Sequence, residues 1–144
     1  MWGLLTAILS GMLMSIQGVF NTGVTKQSSM WVATGWVHFS ALAVCIIAWF
    51  LTGREAISAL WKVDSKYMLL GGVIGAFITV TVIMSMKNMG PAQATMLIVT
   101  AQVVLSYLIE VFGLFGIEKQ PFEWRKVIGT AVAIVGIIIF KWKS

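Results

Sequence analysis

Uninterrupted apolar runs constrain this chain more than any other feature. A helix that crosses about 30 Å of hydrocarbon needs roughly 20 mostly apolar residues. Five stretches meet or approach that length, at about residues 2–20, 31–51, 67–86, 91–117 and 124–141. Hydrophobic residues make up 59%, charged residues 10%, and mean hydropathy is +0.94. A water-soluble domain of 144 residues cannot hide so much apolar surface. The expected fold is therefore all-α and integral to a membrane: a five-transmembrane-helix bundle forming a single transmembrane domain over residues 1–144, with the lipid bilayer as its solvent.

The fifth stretch has the shortest uncharged core, 127–140, but Arg125, Lys126, Lys141 and Lys143 can snorkel to the two surfaces. Trp124 and Trp142 bracket it, as Trp2, Trp31 and Trp49 mark other helix ends, at the depth where indole rings collect. Trp36 is displaced inward and is a candidate for lining a cavity. Between the second and third spans, residues 52–66 form the longest polar connection. There Ile57, Leu60 and Trp61 fall on one side of an expected short interfacial helix. Pro91 suits the first turn of the fourth span. No positive charge precedes Lys26, so the first apolar run lacks the pattern of a cleaved signal and is expected to remain.

Helices in lipid gain little from apolar contact alone and associate where small residues let backbones approach. Such stripes recur every fourth residue: Gly3, Ala7, Gly11 and Ser15 in the first span, Gly71 and Gly75 in the third, Gly129 and Ala133 in the fifth. They are expected helix-packing faces.

The net charge of +5 would suggest nucleic acid in a soluble protein. Here the basic residues flank apolar runs without forming a stripe, so no nucleic-acid partner is expected and the charges read as orientation signals. With five spans, Arg54, Lys62, Lys66, Lys119, Arg125 and Lys126 lie on one side, six in all, against four for Lys26, Lys87, Lys141 and Lys143. So weak a bias suits a chain that inserts both ways, and dual insertion permits an antiparallel homodimer that builds an inverted repeat from two identical chains; the alternative is a small protein with a weak orientation signal, or one held in place by a partner subunit.

Of five acidic residues, Glu55, Asp64, Glu118 and Glu123 fall in connections and only Glu110 within an expected span. A carboxyl group at such depth needs a bundle interior or water and is a functional candidate by default; the alternative is that Glu110 lies close enough to the end of its helix to reach the surface or to pair with a basic side chain. Thr95, Gln102, Ser106, Glu110 and Gly113 share one helical face, with Tyr107 beside it as an aromatic wall suited to an organic cation. Ser10, Met14, Gln17 and Asn21 form a matching seam on the first span, and Thr34 and His38 align on the second. These side chains either bound a polar cavity for substrate or proton, or hydrogen-bond between helices. His38 has no second ligand at metal-binding spacing, which leaves a structural role or a proton relay. Cys45 lies alone in an apolar run, so no internal disulfide is available. No nucleophile motif, phosphate-cradling loop or metal cluster is present, so neither an enzyme, a cofactor nor a metal is expected.

Three stretches together resemble a known family: Gly-Met-Leu-Met-Ser-Ile-Gln-Gly-Val-Phe-Asn at 11–21, the run from Ala101-Gln102 through Glu110-Val111-Phe112-Gly113-Leu114-Phe115-Gly116, and Arg125-Lys126-Val127-Ile128-Gly129 leading into Gly136. The chain is similar in these to the YdcZ-like five-helix branch of the drug/metabolite transporter superfamily. That branch typically shows Gln and Asn in the first helix, Gly-Gln in the middle of the fourth and Asp-His-Phe-Gly near its end. Ala101 replaces the glycine and Glu110-Val111 replaces Asp-His, so the acid is kept and the histidine lost. The resemblance implies a secondary transporter of a small organic solute, cationic or polar, in a bacterial-type inner membrane. It also implies single-gene members that work as antiparallel homodimers and others that work as paired or fused halves. Proton- or ion-coupled alternating access would use Glu110, with Gln17, Asn21 and Gln102 as hydrogen-bonding groups. The alternatives are a non-transporting accessory subunit and a small-solute channel.

Overall fold

A computed structural model describes residues 1–141, so Trp142 and Lys143, expected to mark the end of the fifth helix, lie outside the described residues. The described chain is all helical, with five α-helices: α1, Trp2–Gln27; α2, Met30–Thr52; α3, Gly71–Met89; α4, Pro91–Phe112; and α5, Trp124–Lys141. Among the described residues, four segments are long and apolar enough to cross a membrane: Trp2–Gln27, Met30–Thr52, Lys66–Met89 and Pro91–Phe112. The chain is thus a multi-pass membrane protein. α5 forms as a helix over the expected residues, but Arg125, Lys126 and Lys141 dilute its apolar character.

Two compact units make up the chain, the first being Met1–Met84 and the second beginning at Ser85. In the first, α1 packs on α2. The chain reverses at Ser28 and Ser29, where the Ser29 hydroxyl accepts the Val32 N–H at 3.3 Å and satisfies a donor left over at the start of α2. The residues these two helices bury are small, Gly18 and Asn21 on one and Ala33 and Thr34 on the other, as close backbone approach in lipid requires. α2 ends where Gly53 turns with φ of 129°. The Trp49 indole then donates to the Glu55 carbonyl at 2.8 Å, and the Arg54 guanidinium sits 5.1 Å from the Phe50 ring centre. The expected interfacial helix is a 3-10 turn, Ile57–Lys62, and a second, Lys66–Leu70, leads into α3. Ile57, Leu60 and Trp61 are all exposed.

The second unit is built on α4 packed against α5. Pro91 occupies the first turn of α4, where its missing N–H leaves no bond unmade. The helix stops at Phe112, short of the expected 117. Gly113 adopts the left-handed conformation, φ 65° and ψ 39°, and its N–H donates back to the Ile109 carbonyl. A Cβ there would stand 3.2 Å from the Lys119 Cβ and 3.3 Å from the Ile117 carbonyl oxygen, so the turn needs glycine for both conformation and space. The returning chain closes over the helix end, with the Gln120 N–H donating to the Glu110 carbonyl at 2.9 Å.

Most large apolar side chains on all five helices face outward; among the described residues, Ile83, Met86 and Ile137 are the large apolar side chains that are buried. A surface this apolar is what lipid, or another membrane helix, would cover.

Candidate functional site

The polar seam of α4 opens into a groove of about 570 Å³ between that helix and α5. Gln102, Ser106 and Glu110, one turn apart, form one wall with Tyr107, and Lys126, Gly129, Thr130 and Ala133 form the other. Four of the expected solute-site residues therefore share a single groove with two residues of an expected packing stripe.

The groove's polar end is organised around an ammonium group. Lys126 Nζ lies 3.3 Å from Glu110 Oε2, 3.4 Å from Glu123 Oε1 and 5.5 Å from the centre of the Tyr107 ring. Glu110 sits in the last turn of α4, where the helix's own carbonyl ends disfavour a negative charge. The Lys126 cation compensates. Glu123 precedes α5 and its carbonyl accepts the N–H groups of Lys126 and Val127, at 3.1 and 3.4 Å. The Tyr107 hydroxyl accepts the Glu123 N–H at 2.7 Å and donates to the Glu123 carbonyl at 3.2 Å. An aromatic chain continues outward from it, with Phe122 6.1 Å from Tyr107 and Trp124 5.3 Å from Phe122 between ring centres.

Lys126, Glu123 and Thr130 were not expected in the site. Lys126 had the appearance of a snorkelling surface cation, and its pairing with a carboxylate sixteen residues away leaves no mark in helical periodicity. A signal was nevertheless available. In a helical hairpin, residues equidistant from the turn meet, and Glu110 and Lys126 are equidistant from Glu118, as are Ser106 and Thr130.

The remaining expected site residues belong to the first unit. Ser10, Met14 and Gln17 line a more open hollow of about 580 Å³ on the face of α1, and Asn21, one turn on, is 9% exposed. Trp36 is exposed, its ring 5.9 Å from that of Phe39. On α2, Thr34 is 4% exposed, and its hydroxyl and the His38 Nε2 are both buried without a hydrogen-bond partner. His38 reaches α3, where a Cβ on Gly75 would meet its Cε1 at 3.4 Å. At Gly3, Gly11, Gly71 and Gly129 a Cβ would meet nothing within 4 Å. Within one chain, Gly75 is the stripe glycine that touches another helix.

Among the described residues, no three of His, Cys, Asp and Glu come together to hold a metal.

No curated protein and no solved structure gives a significant match to the chain. The chain belongs to the family described as "Putative inner membrane exporter, YdcZ", whose sequence profile matches residues 2–139. It is thus a member of a membrane exporter family rather than of an enzyme family, and the family's description implies the inner membrane.

Proposed function

We propose that the chain is one protomer of a secondary transporter that carries a small organic solute, cationic or polar, and whose solute path runs through the groove between α4 and α5. The observation that carries this reading is convergence. In a chain with one charged residue in ten, Gln102, Ser106, Glu110, Lys126 and Thr130 face a single groove large enough for a metabolite-sized molecule. Membership of an exporter family supports the same conclusion.

Glu110 is the group that exchanges a proton or binds the solute, with Gln102 and Ser106 supplying hydrogen bonds along the path. In the first unit, Gln17, Asn21, His38 and Trp36 are proposed to bind solute or proton in their own right. α5 is the fifth span, with Lys126 near one membrane surface and Lys141 near the other.

A five-helix chain is small for a complete carrier, and its nearly balanced flanking charges support an antiparallel homodimer. Glu110 stands two residues, about 3 Å along the axis, from the last residue of α4. In such a dimer the two grooves open toward opposite membrane faces, giving each face one carboxylate. Alternating access then exposes one groove while the other is closed. The open glycine stripes at Gly3, Gly11 and Gly71 offer surfaces for the second copy.

The test is reconstitution of the purified protein in liposomes, measuring proton movement driven by candidate solutes, with Glu110→Gln alongside. Solute-driven proton movement that the variant lacks supports the reading; equal movement in both removes Glu110 from it. Flux that ignores an opposing gradient of the same solute would indicate a channel.

A further inference from the structure

We infer that Lys126 is a tethered counter-cation: its ammonium occupies the seat in which the groove binds an organic ammonium, and the solute enters by displacing it. The inference rests on the transport reading above and names both the solute class and the residue that gates it.

The chain displays its own ligand. Two carboxylates and one aromatic face surround the Lys126 Nζ, with oxygens at 3.3 and 3.4 Å and the Tyr107 ring centre at 5.5 Å. A carboxylate beside a π-face is the chemistry that recognises alkylammonium groups, through charge and ring quadrupole together. The aromatic wall is fixed in place, because the Tyr107 hydroxyl is held at both the N–H and the carbonyl of Glu123. The lysine stem is not so held. It has four rotatable carbons, and its side chain is 41% exposed. The ammonium can therefore swing toward the membrane surface while the seat keeps its shape.

Charge supports the same order of events. With Lys126 seated, two carboxylates face one ammonium; with it withdrawn, both are uncompensated and attract a cation. The rest of the groove wall is apolar or neutral, with Val99, Val103, Gly129 and Ala133 beyond the seat to accept the solute's hydrocarbon part. A neutral solute has no means of replacing the lost ion pairs, so the tether also selects against it.

The occupied seat lowers apparent affinity by the fraction of molecules in which it is free, so freeing it permanently raises affinity by about tenfold if Lys126 is seated nine-tenths of the time. Equilibrium dialysis with tetraethylammonium on the full chain in detergent measures this. Lys126→Met is expected to bind about tenfold more tightly than the unmodified protein, Lys126→Arg to show no gain, and Lys126→Met with Glu110→Gln to lose the gain. Unchanged or weaker binding by Lys126→Met overturns the inference, as does an equal gain in Lys126→Arg.

A second measurement needs no variant. Saturating tetraethylammonium should speed acetylation of Lys126 in the unmodified protein, read by mass spectrometry, because the displaced amine is freed; a slower or unchanged rate overturns the inference. If these changes occur but no solute drives Glu110-dependent proton movement, the transport reading fails and the seat stands. If such movement occurs and binding does not respond to Lys126, the inference alone fails.

Discussion

Tyr107 and Glu123, sixteen residues apart, are joined twice: the phenol accepts the backbone N–H of Glu123 at 2.7 Å and donates to its carbonyl at 3.2 Å. One side chain on α4 thus fixes the start of α5 and, through it, the position of Lys126 over the groove. Tyr107→Phe keeps the ring and removes both bonds. At about 1 kcal/mol net for each bond, partly recovered by water, the variant should unfold at a lower temperature by an amount equivalent to about 1–2 kcal/mol. Thermal unfolding in detergent measures this, and an unchanged midpoint would show that the pair does not hold the hairpin.

Gly113→Ala should be more damaging than its size suggests. The left-handed backbone costs a non-glycine residue about 1–2 kcal/mol, and the added methyl would press on the Lys119 Cβ at 3.2 Å. Gly116 shares the positive φ, at 82°, but has open space around it. Gly116→Ala should therefore lower the unfolding midpoint less than Gly113→Ala does, and a reversed ranking would count against this account of the turn.

These two positions also show what the sequence reveals and what it hides. The helices were legible because long apolar runs admit few alternatives in lipid, and α5 begins at the expected Trp124. The end of α4 was not, because Leu114, Phe115 and Ile117 continue the apolar run past Gly113, and hydropathy does not register a backbone reversal. The seam of Gln102, Ser106 and Glu110 was visible from helical spacing alone. Lys126, its ionic partner, leaves no mark in the periodicity of either helix and is legible only from equal spacing about the hairpin turn.

Gly129 offers a way to fill the groove without disturbing a neighbour, since a Cβ there meets nothing within 4 Å. Gly129→Leu should fold normally and lose most solute-driven flux, while Gly129→Ala should retain it. Transport by the leucine variant at the unmodified rate would place the solute path elsewhere.

Thr34 carries a different expectation. Its hydroxyl is buried and unpaired, which costs about 1–3 kcal/mol unless something polar bonds to it. Thr34→Val removes the polar atom at similar volume, so the midpoint should rise by an amount equivalent to about 1 kcal/mol. Should the unpaired hydroxyl and the His38 imidazole serve the solute or proton path, the same variant will transport more slowly. A fall in stability would instead mean that the hydroxyl is satisfied in the membrane.

Orientation can be forced by charge. Gln27→Lys, Ser28→Lys and Asn88→Lys together with Lys62→Gln and Lys119→Gln turn four against six into seven against four, and Ala56→Lys with Gln120→Lys gives eight against four on the other side. Each set alone should lock insertion one way and abolish flux, and co-expression of the two should restore it. Full activity from either set alone would sink the antiparallel dimer.

At the far end of α2, the indole of Trp49 is tied to the Glu55 carbonyl and the Arg54 guanidinium rests over Phe50. Ring, cation and loop are thereby held at one level, and none of them can slide freely to meet a lipid surface that has moved. Such a collar sets a ruler against the surrounding lipid. Vesicles of short- or long-chain phosphatidylcholine would force the helix to tilt rather than let its rim adjust, and turnover should peak at one acyl length, a preference fixed by a single indole hydrogen.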